Sequence, residues 1–390
     1  MRKIIILIVL IIVSASFASA IPAFARKYGY SCEICHAPIP RLKAFGEEFM
    51  DNGYRIPDKE PPRATIDTGD PILLLQRELP LAMRFDGFAS YEPNATGVKG
   101  DFRTPFVMKI LSGGNISDKI SYYTYFLMTE ESKLVGLEDT YLYFHDLFGL
   151  PLSFVFGQYR ISDPIKPSEI RMTFEEYKIF KFTVGDSKIA LSYDRGLMAG
   201  YATKFGMDFN LQVVNGNGID EQEIFDSDKY KSVVYRVAQS LWKDNIRIGI
   251  LGYTGREAML GGLTNRVTYF GPDVRLRLPK LELMFEYVHR TDSNPFNRIE
   301  FDPTFAPEPQ NQTTDAILAE AVFAPQGDKS RMFFTLAFND IASSLEEVKY
   351  RTLTLNICHV LRRNLKWIAE YTHDFVRDNH RLLTGIITAF

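Results

Sequence analysis

From about residue 79 to residue 390 the chain is written in two-residue alternation. In 280–291, Leu281, Leu283, Phe285 and Tyr287 share one parity, and Glu282, Met284, Glu286 and Arg290 the other. In 365–375, Leu365, Trp367, Ala369 and Tyr371 oppose Lys366, Glu370, Thr372 and Asp374. In 203–214, Phe205, Met207, Phe209, Leu211 and Val213 oppose Lys204, Asp208 and Asn210, and in 330–340 Phe334, Leu336 and Phe338 oppose Thr335 and Asn339. Successive strand side chains point to opposite faces, so this period predicts strands with one apolar face. Such segments begin near 80, 102, 118, 137, 150, 188, 198, 204, 230, 245, 266, 280, 314, 330, 347 and 365, with a closing strand near 380. That makes seventeen, whereas single-chain bacterial barrels usually hold an even number. The starts at 188 and 198 are the doubtful pair and read as one bent strand, leaving about sixteen.

A soluble sandwich would hide the apolar faces against a second sheet. A membrane barrel would turn them to lipid and keep charge in the lumen. The segments approach the roughly 9–11 residues that a tilted strand needs to cross a bilayer. Their polar faces carry both signs of charge, and Phe390 follows a strand-like run from Arg381, as in outer-membrane barrels. The expected fold is therefore mostly β: a transmembrane antiparallel β-barrel over 79–390. Residues 55–78, with Pro57, Pro61, Pro62 and Pro71, read as a linker.

The first twenty residues stand apart. Arg2 and Lys3 precede an apolar run from Ile4 to Val13, and Ala18-Ser19-Ala20 forms a small-residue cleavage site. This is the pattern of a secretory signal peptide over 1–20. Its loss removes two positive charges and no negative ones, taking the net charge from −3 to −5. So balanced a charge excludes a dedicated nucleic-acid binder. Three cysteines exclude a disulfide scaffold.

Two of those cysteines carry the sharpest chemistry. Cys32-Glu33-Ile34-Cys35-His36 is a C-x-x-C-H motif, twelve residues beyond the cleavage site. Thiols at this spacing add to the two vinyl groups of one haem, and the next residue serves as the proximal iron ligand. A redox dithiol or half a zinc site are the competing readings, but no second C-x-x-C exists to complete a zinc site. The motif occurs once, so one covalent haem c is expected on Cys32, Cys35 and His36. Leu42, Phe45, Phe49 and Met50 fall on one helical face, and Gly53 reads as a helix stop. Residues 21–54 thus read as a small α-helical c-type haem module, too short to bury a haem without a wall from the rest of the chain. Met50 is the nearest soft candidate for a sixth iron ligand; it also fits as filling for the apolar face. Met83, Met108, Met207 and Met332 share the apolar parity of their strands, whereas Met284 has lumen parity.

The stretch Pro22 to Arg26, Cys32 to His36, Phe45-Gly46 and Asn52-Gly53-Tyr54, in this order, resembles the haem module of the fused monohaem cytochrome–porins of iron-oxidising bacteria. The resemblance covers 21–54. It implies a haem module attached to an outer-membrane barrel and electron transfer across that membrane. In the barrel, Gly157-Gln158-Tyr159-Arg160, Thr173-Phe174-Glu175, Asp194-Arg195-Gly196 and Val214-Asn215-Gly216-Asn217-Gly218 resemble the phosphate-selective porin O/P family. That implies a porin-type barrel with a loop folded inward near 160–186. Phosphate selectivity does not follow: Arg84, Asp86, Arg103, Lys109, Lys204, Asp208, Glu282, Glu286, Lys366 and Glu370 mix signs on the lumen parity.

The expected function is electron transfer in the outer membrane. Electrons would pass between a periplasmic carrier and an extracellular donor or acceptor, with Fe(II) oxidation implied by the family. Two readings compete: a diffusion porin plugged or gated by the haem segment, and a soluble periplasmic cytochrome with a β-sandwich domain. His289 and His373 read as rim histidines of outward parity, and Cys358 and His359 fall on opposite faces of one strand.

Overall fold

The computed structural model describes residues 23–56, 65–131 apart from 74 and 78, 133, 136–219, 225–297 apart from 227, and 311–390. The signal-peptide reading of 1–20 lies outside these residues.

Sixteen antiparallel strands form one closed barrel in simple chain order. They are β1 (Leu81–Tyr91), β2 (Gly100–Ser117), β3 (Ile120–Glu130), β4 (Gly136–Phe144), β5 (Leu152–Arg160), β6 (Tyr193–Ala202), β7 (Met207–Val214) and β8 (Ser232–Leu241). There follow β9 (Ile246–Met259), β10 (Leu263–Arg277), β11 (Leu281–Asp292), β12 (Gln312–Phe323), β13 (Met332–Ser343), β14 (Tyr350–Arg362), β15 (Leu365–Asp374) and β16 (Asn379–Ala389). Closure pairs β16 with β1, from Leu382 opposite Tyr91 to Ala389 opposite Arg84. Met83 and Phe390 extend the seam with two backbone bonds of 2.6 and 2.8 Å. A closed ring leaves no strand edge unpaired, the condition for spanning hydrocarbon with sheet.

The doubtful strand start is settled. Residue 198 lies inside β6, while Ile189 belongs to a loop and is buried. Lys204, read as a lumen residue, sits instead in the turn between β6 and β7, where the Thr203 side chain and backbone close onto Met207.

Polarity runs inside out. Leu211, Val213, Phe285, Leu336, Leu355 and Ile386 are exposed on the outer surface. Glu286, Arg290, Glu320, Asn339, Asn356 and Glu370 are buried on the opposite parity. A sandwich would bury the first set, so this arrangement overturns the soluble β-sandwich reading and fits a wall facing lipid. Cys358 is fully buried on the lumen side, and its neighbour His359 points the other way.

The two ends of the barrel differ. One end carries short turns, such as Asp118–Lys119 and Arg363–Asn364. The other carries longer loops, including the 161–192 connection between β5 and β6. That connection folds into the lumen, as the inward-loop resemblance implied. Ile161, Met172, Tyr177, Phe180, Val184 and Leu191 are buried there. Ile161, Tyr177, Phe180, Val184 and Leu191 pack with Val234, Val267, Val288 and Leu318 of the wall, and Met284 joins this core; Met172 packs in a second cluster with Val322 and Phe333.

Polar anchors hold this plug. Glu370 accepts the backbone N–H groups of Phe174 (2.6 Å) and Glu175 (2.9 Å). Tyr177 donates its hydroxyl to Glu320 at 2.6 Å. Arg290, fully buried, grips Asp292 (2.6 and 2.8 Å), Ser187 Oγ (2.8 Å) and the Ile189 carbonyl (2.7 Å). These bonds give the plug's buried backbone N–H groups, the Tyr177 hydroxyl and the Arg290 guanidinium their partners inside the lumen.

Candidate functional site

At the short-turn end, three short helices lie across the barrel mouth: α1 (Ala23–Tyr28), α2 (Cys32–Cys35) and α3 (Ala44–Asp51). Ser31 caps α2, its hydroxyl accepting the Glu33 N–H at 3.4 Å. Cys32 and Cys35 therefore sit one helical turn apart, and His36 closes the helix by donating its N–H to the Cys32 carbonyl at 2.8 Å. Gly46 brings α3 against this turn: a Cβ there would meet the Cys35 carbonyl oxygen at 2.4 Å. Helix α3 ends as its sequence implied. Gly53 has φ of 66°, and the Gly53 and Tyr54 N–H groups reach back to Met50 and Phe49.

His36 is oriented from behind. Its Nδ1 lies 3.1 Å from the Pro40 carbonyl oxygen, so Nδ1 carries the proton and Nε2 keeps its lone pair. Burial holds the imidazole below its ordinary value, in the neutral form that binds a metal. Burial also raises both cysteine thiols. On the facing wall, the Lys366 ammonium is buried without a hydrogen-bond partner among the described residues. Its charge bears on His36. A buried lone cation calls for an anion, and haem carries two propionate carboxylates. The donor set, the tautomer and this cation all fit a covalent haem.

Met50 stands elsewhere on the segment. It lines a cavity of ≈ 340 Å³ between α3 and the wall, with Leu42, Tyr54, Tyr141, His145 and Arg236. Cys32, Cys35 and His36 do not line that cavity. The three motif residues are thus gathered on one turn, and Met50 is placed one helix away.

Several docking residues escaped the sequence reading. Glu47 on α3 takes Arg275 (2.8 Å) and Arg277 (2.7 Å) from the lumen face of β10. Arg41 reaches Glu282 at 2.7 Å, and Arg55 reaches Asp146 at 2.7 Å. Glu33 pairs with Arg363 in the turn after β14. Tyr54 stacks on Phe24 (5.2 Å) and on Tyr123 of β3 (4.5 Å). His145, just beyond β4, meets Ser121 Oγ at 2.7 Å, and burial, reinforced by Arg55, lowers its pKa to about 4.

No family model and no curated protein matches the sequence. The fold does have solved relatives. The anion-selective porin of Comamonas acidovorans is 9% identical, with 80% of this chain and 99% of that one covered and a TM-score of 0.58. Salmonella typhi OmpF is 12% identical over 80% and 97%, with a TM-score of 0.58. DcaP, an outer-membrane channel of Acinetobacter baumannii, is 11% identical over 80% and 97%, with a TM-score of 0.54. The chain is therefore built as a closed sixteen-stranded antiparallel barrel of the outer-membrane porin type, with a short helical region before its first strand.

Proposed function

We propose that this protein is an outer-membrane electron carrier with one covalent haem c. Cys32 and Cys35 hold the haem by thioether bonds and His36 is its proximal ligand. The bound iron supplies one-electron chemistry; the chain supplies attachment, orientation and partial shielding from water, which tunes the potential. Met50 would be the nearest soft candidate for a sixth ligand, although it lines the cavity between α3 and the wall rather than the Cys32–His36 turn. The helical segment faces the periplasm, where a soluble carrier docks, and the long loops face an extracellular donor or acceptor. Fe(II) as that donor rests on the resemblance to the cytochrome–porins.

The observation that carries this reading is the C-x-x-C-H turn with His36 Nδ1 fixed on the Pro40 carbonyl. A second observation weighs against the diffusion-porin reading: residues 161–192 pack the lumen with apolar and hydrogen-bonded side chains. An open channel needs a continuous wet path, and the buried Tyr177, Phe180 and Leu191 oppose one.

The test is a haem stain of outer-membrane protein run heated and unheated, from cells able to attach c-type haem. A haem-staining band that shifts on heating supports the proposal, and redox titration follows. A shifting band without haem leaves a barrel of another function. A haem band found in the soluble fraction alone overturns the membrane placement.

A further inference from the structure

The hairpin of β15 and β16 carries a group unrelated to the helical segment. His373 and His380 are directly opposite partners across the two strands. Both have outward parity at the long-loop end. Their Nδ1 atoms lie 3.2 Å apart, and their rings stack at 4.5 Å between centroids. Asp378, in the connecting turn, places a carboxylate with them, so that one donor atom from each of the three lies within 4.8 Å of the others.

We propose that His373, His380 and Asp378 form a site for one divalent transition-metal ion. Two nitrogen ligands at about 2.1 Å from a tetrahedral ion are about 3.4 Å apart, within a few tenths of an ångström of the 3.2 Å between these two nitrogens. Two imidazoles and a carboxylate are a borderline donor set that suits Zn²⁺, Fe²⁺ or Ni²⁺ rather than Ca²⁺ or Mg²⁺. Three protein ligands leave a position for water.

The surroundings hold the site in place. Asp378 has φ of 48°, the left-handed conformation that Asp adopts more readily than most non-glycine residues. Its carbonyl accepts Asn94 Nδ2 at 2.9 Å, from the loop after β1. Asn379 donates to Glu92 at 3.1 Å, from the same loop. The Tyr371 hydroxyl lies 2.7 Å from His380 Nδ1. An entering ion takes over this nitrogen, and the rings turn about χ2 to converge on it.

The test uses full-length, untagged protein as purified in detergent and titrates it with Zn²⁺ in a calorimeter. The His373→Gln/His380→Gln double variant is run beside it, with heat-modifiable gel mobility confirming that both barrels are folded. Wild type should take up one equivalent more than the double variant. Asp378→Asn should weaken that equivalent at least tenfold. Equal uptake by wild type and the folded double variant overturns the proposal. Should the double variant fail to fold, His373→Gln alone decides on the same criterion. The result does not depend on whether haem is attached, since Cys32, Cys35 and His36 are unchanged in every sample.

Discussion

Gly53 lies so close to His145 that a Cβ on the glycine would stand 2.1 Å from the imidazole Cε1. This contact joins the end of α3 to the barrel turn after β4. Its φ of 66° adds a conformational demand. Gly53→Ala should therefore cost about 1–2 kcal/mol from the left-handed backbone alone, and more from the clash. The expected result is faster proteolytic release of the helical segment with an unchanged heat-shifted barrel band. Unchanged protease resistance would contradict this account of the dock.

His145 also gives the dock a pH dependence. Its folded pKa of about 4 lies below the unfolded value near 6.5. The folded state thus binds fewer protons than the unfolded state between these values. Stability is fully present above pH 6.5 and falls as the pH drops toward 4. Arg55 reinforces the trend and Asp146 opposes it. Protease resistance of the segment, followed from pH 7 to pH 4, should decline, and His145→Gln should flatten that part of the profile.

Removing Cys32, Cys35 or His36 should separate cofactor from wall. Cys32→Ser or Cys35→Ser should leave at most one thioether and a sharply reduced haem stain. His36→Ala should lower haem content and shift its spectrum. All three should keep the heat-modifiable barrel, because none contributes to a strand. Met50→Ala, in haem-loaded protein, should lower the reduction potential if its sulfur binds iron.

Arg290 ties plug to wall through partners on both. Arg290→Ala leaves Asp292 buried without its cation, a loss of about 3–5 kcal/mol. Arg290→Lys should recover only part, since an ammonium cannot span the same fork of acceptors. Urea unfolding of the detergent-solubilised protein should rank wild type above Lys above Ala.

Glu370 tests whether the plug closes the lumen. Glu370→Ala strips two backbone donors of their acceptor, at about 1–3 kcal/mol each. Ion conductance in planar bilayers should be low for wild type and rise, with noisy gating, in the variant. High wild-type conductance would favour the diffusion-porin reading instead.

Strand periodicity was legible because lipid and lumen impose opposite preferences on alternate residues of every strand. Its one excess start, near 188, arose because Ile189 and Leu191 are apolar for another reason: they fill the plug. A two-residue period cannot say which apolar surface it faces. The C-x-x-C-H turn was legible because its chemistry is local. The fastenings were not. Arg41 and Glu282, or Glu47 and Arg275, are more than two hundred positions apart, and nothing in either neighbourhood marks its partner. The His373–His380 pairing was half visible: rim position followed from parity, but the opposite register required the turn geometry around Asp378.

The seam between β1 and β16 sets the order in which this molecule can be made. Its partners, such as Tyr91 and Leu382, are about three hundred residues apart, so joining them costs about 5 kcal/mol of loop-closure entropy before any gain. Contacts of that range form last. Until they do, the sheet has two raw edges, each a template for another chain. The plug is fastened next to this seam, because Glu370 of β15 accepts the Phe174 and Glu175 N–H groups, so the last hairpin holds both the ring and its contents.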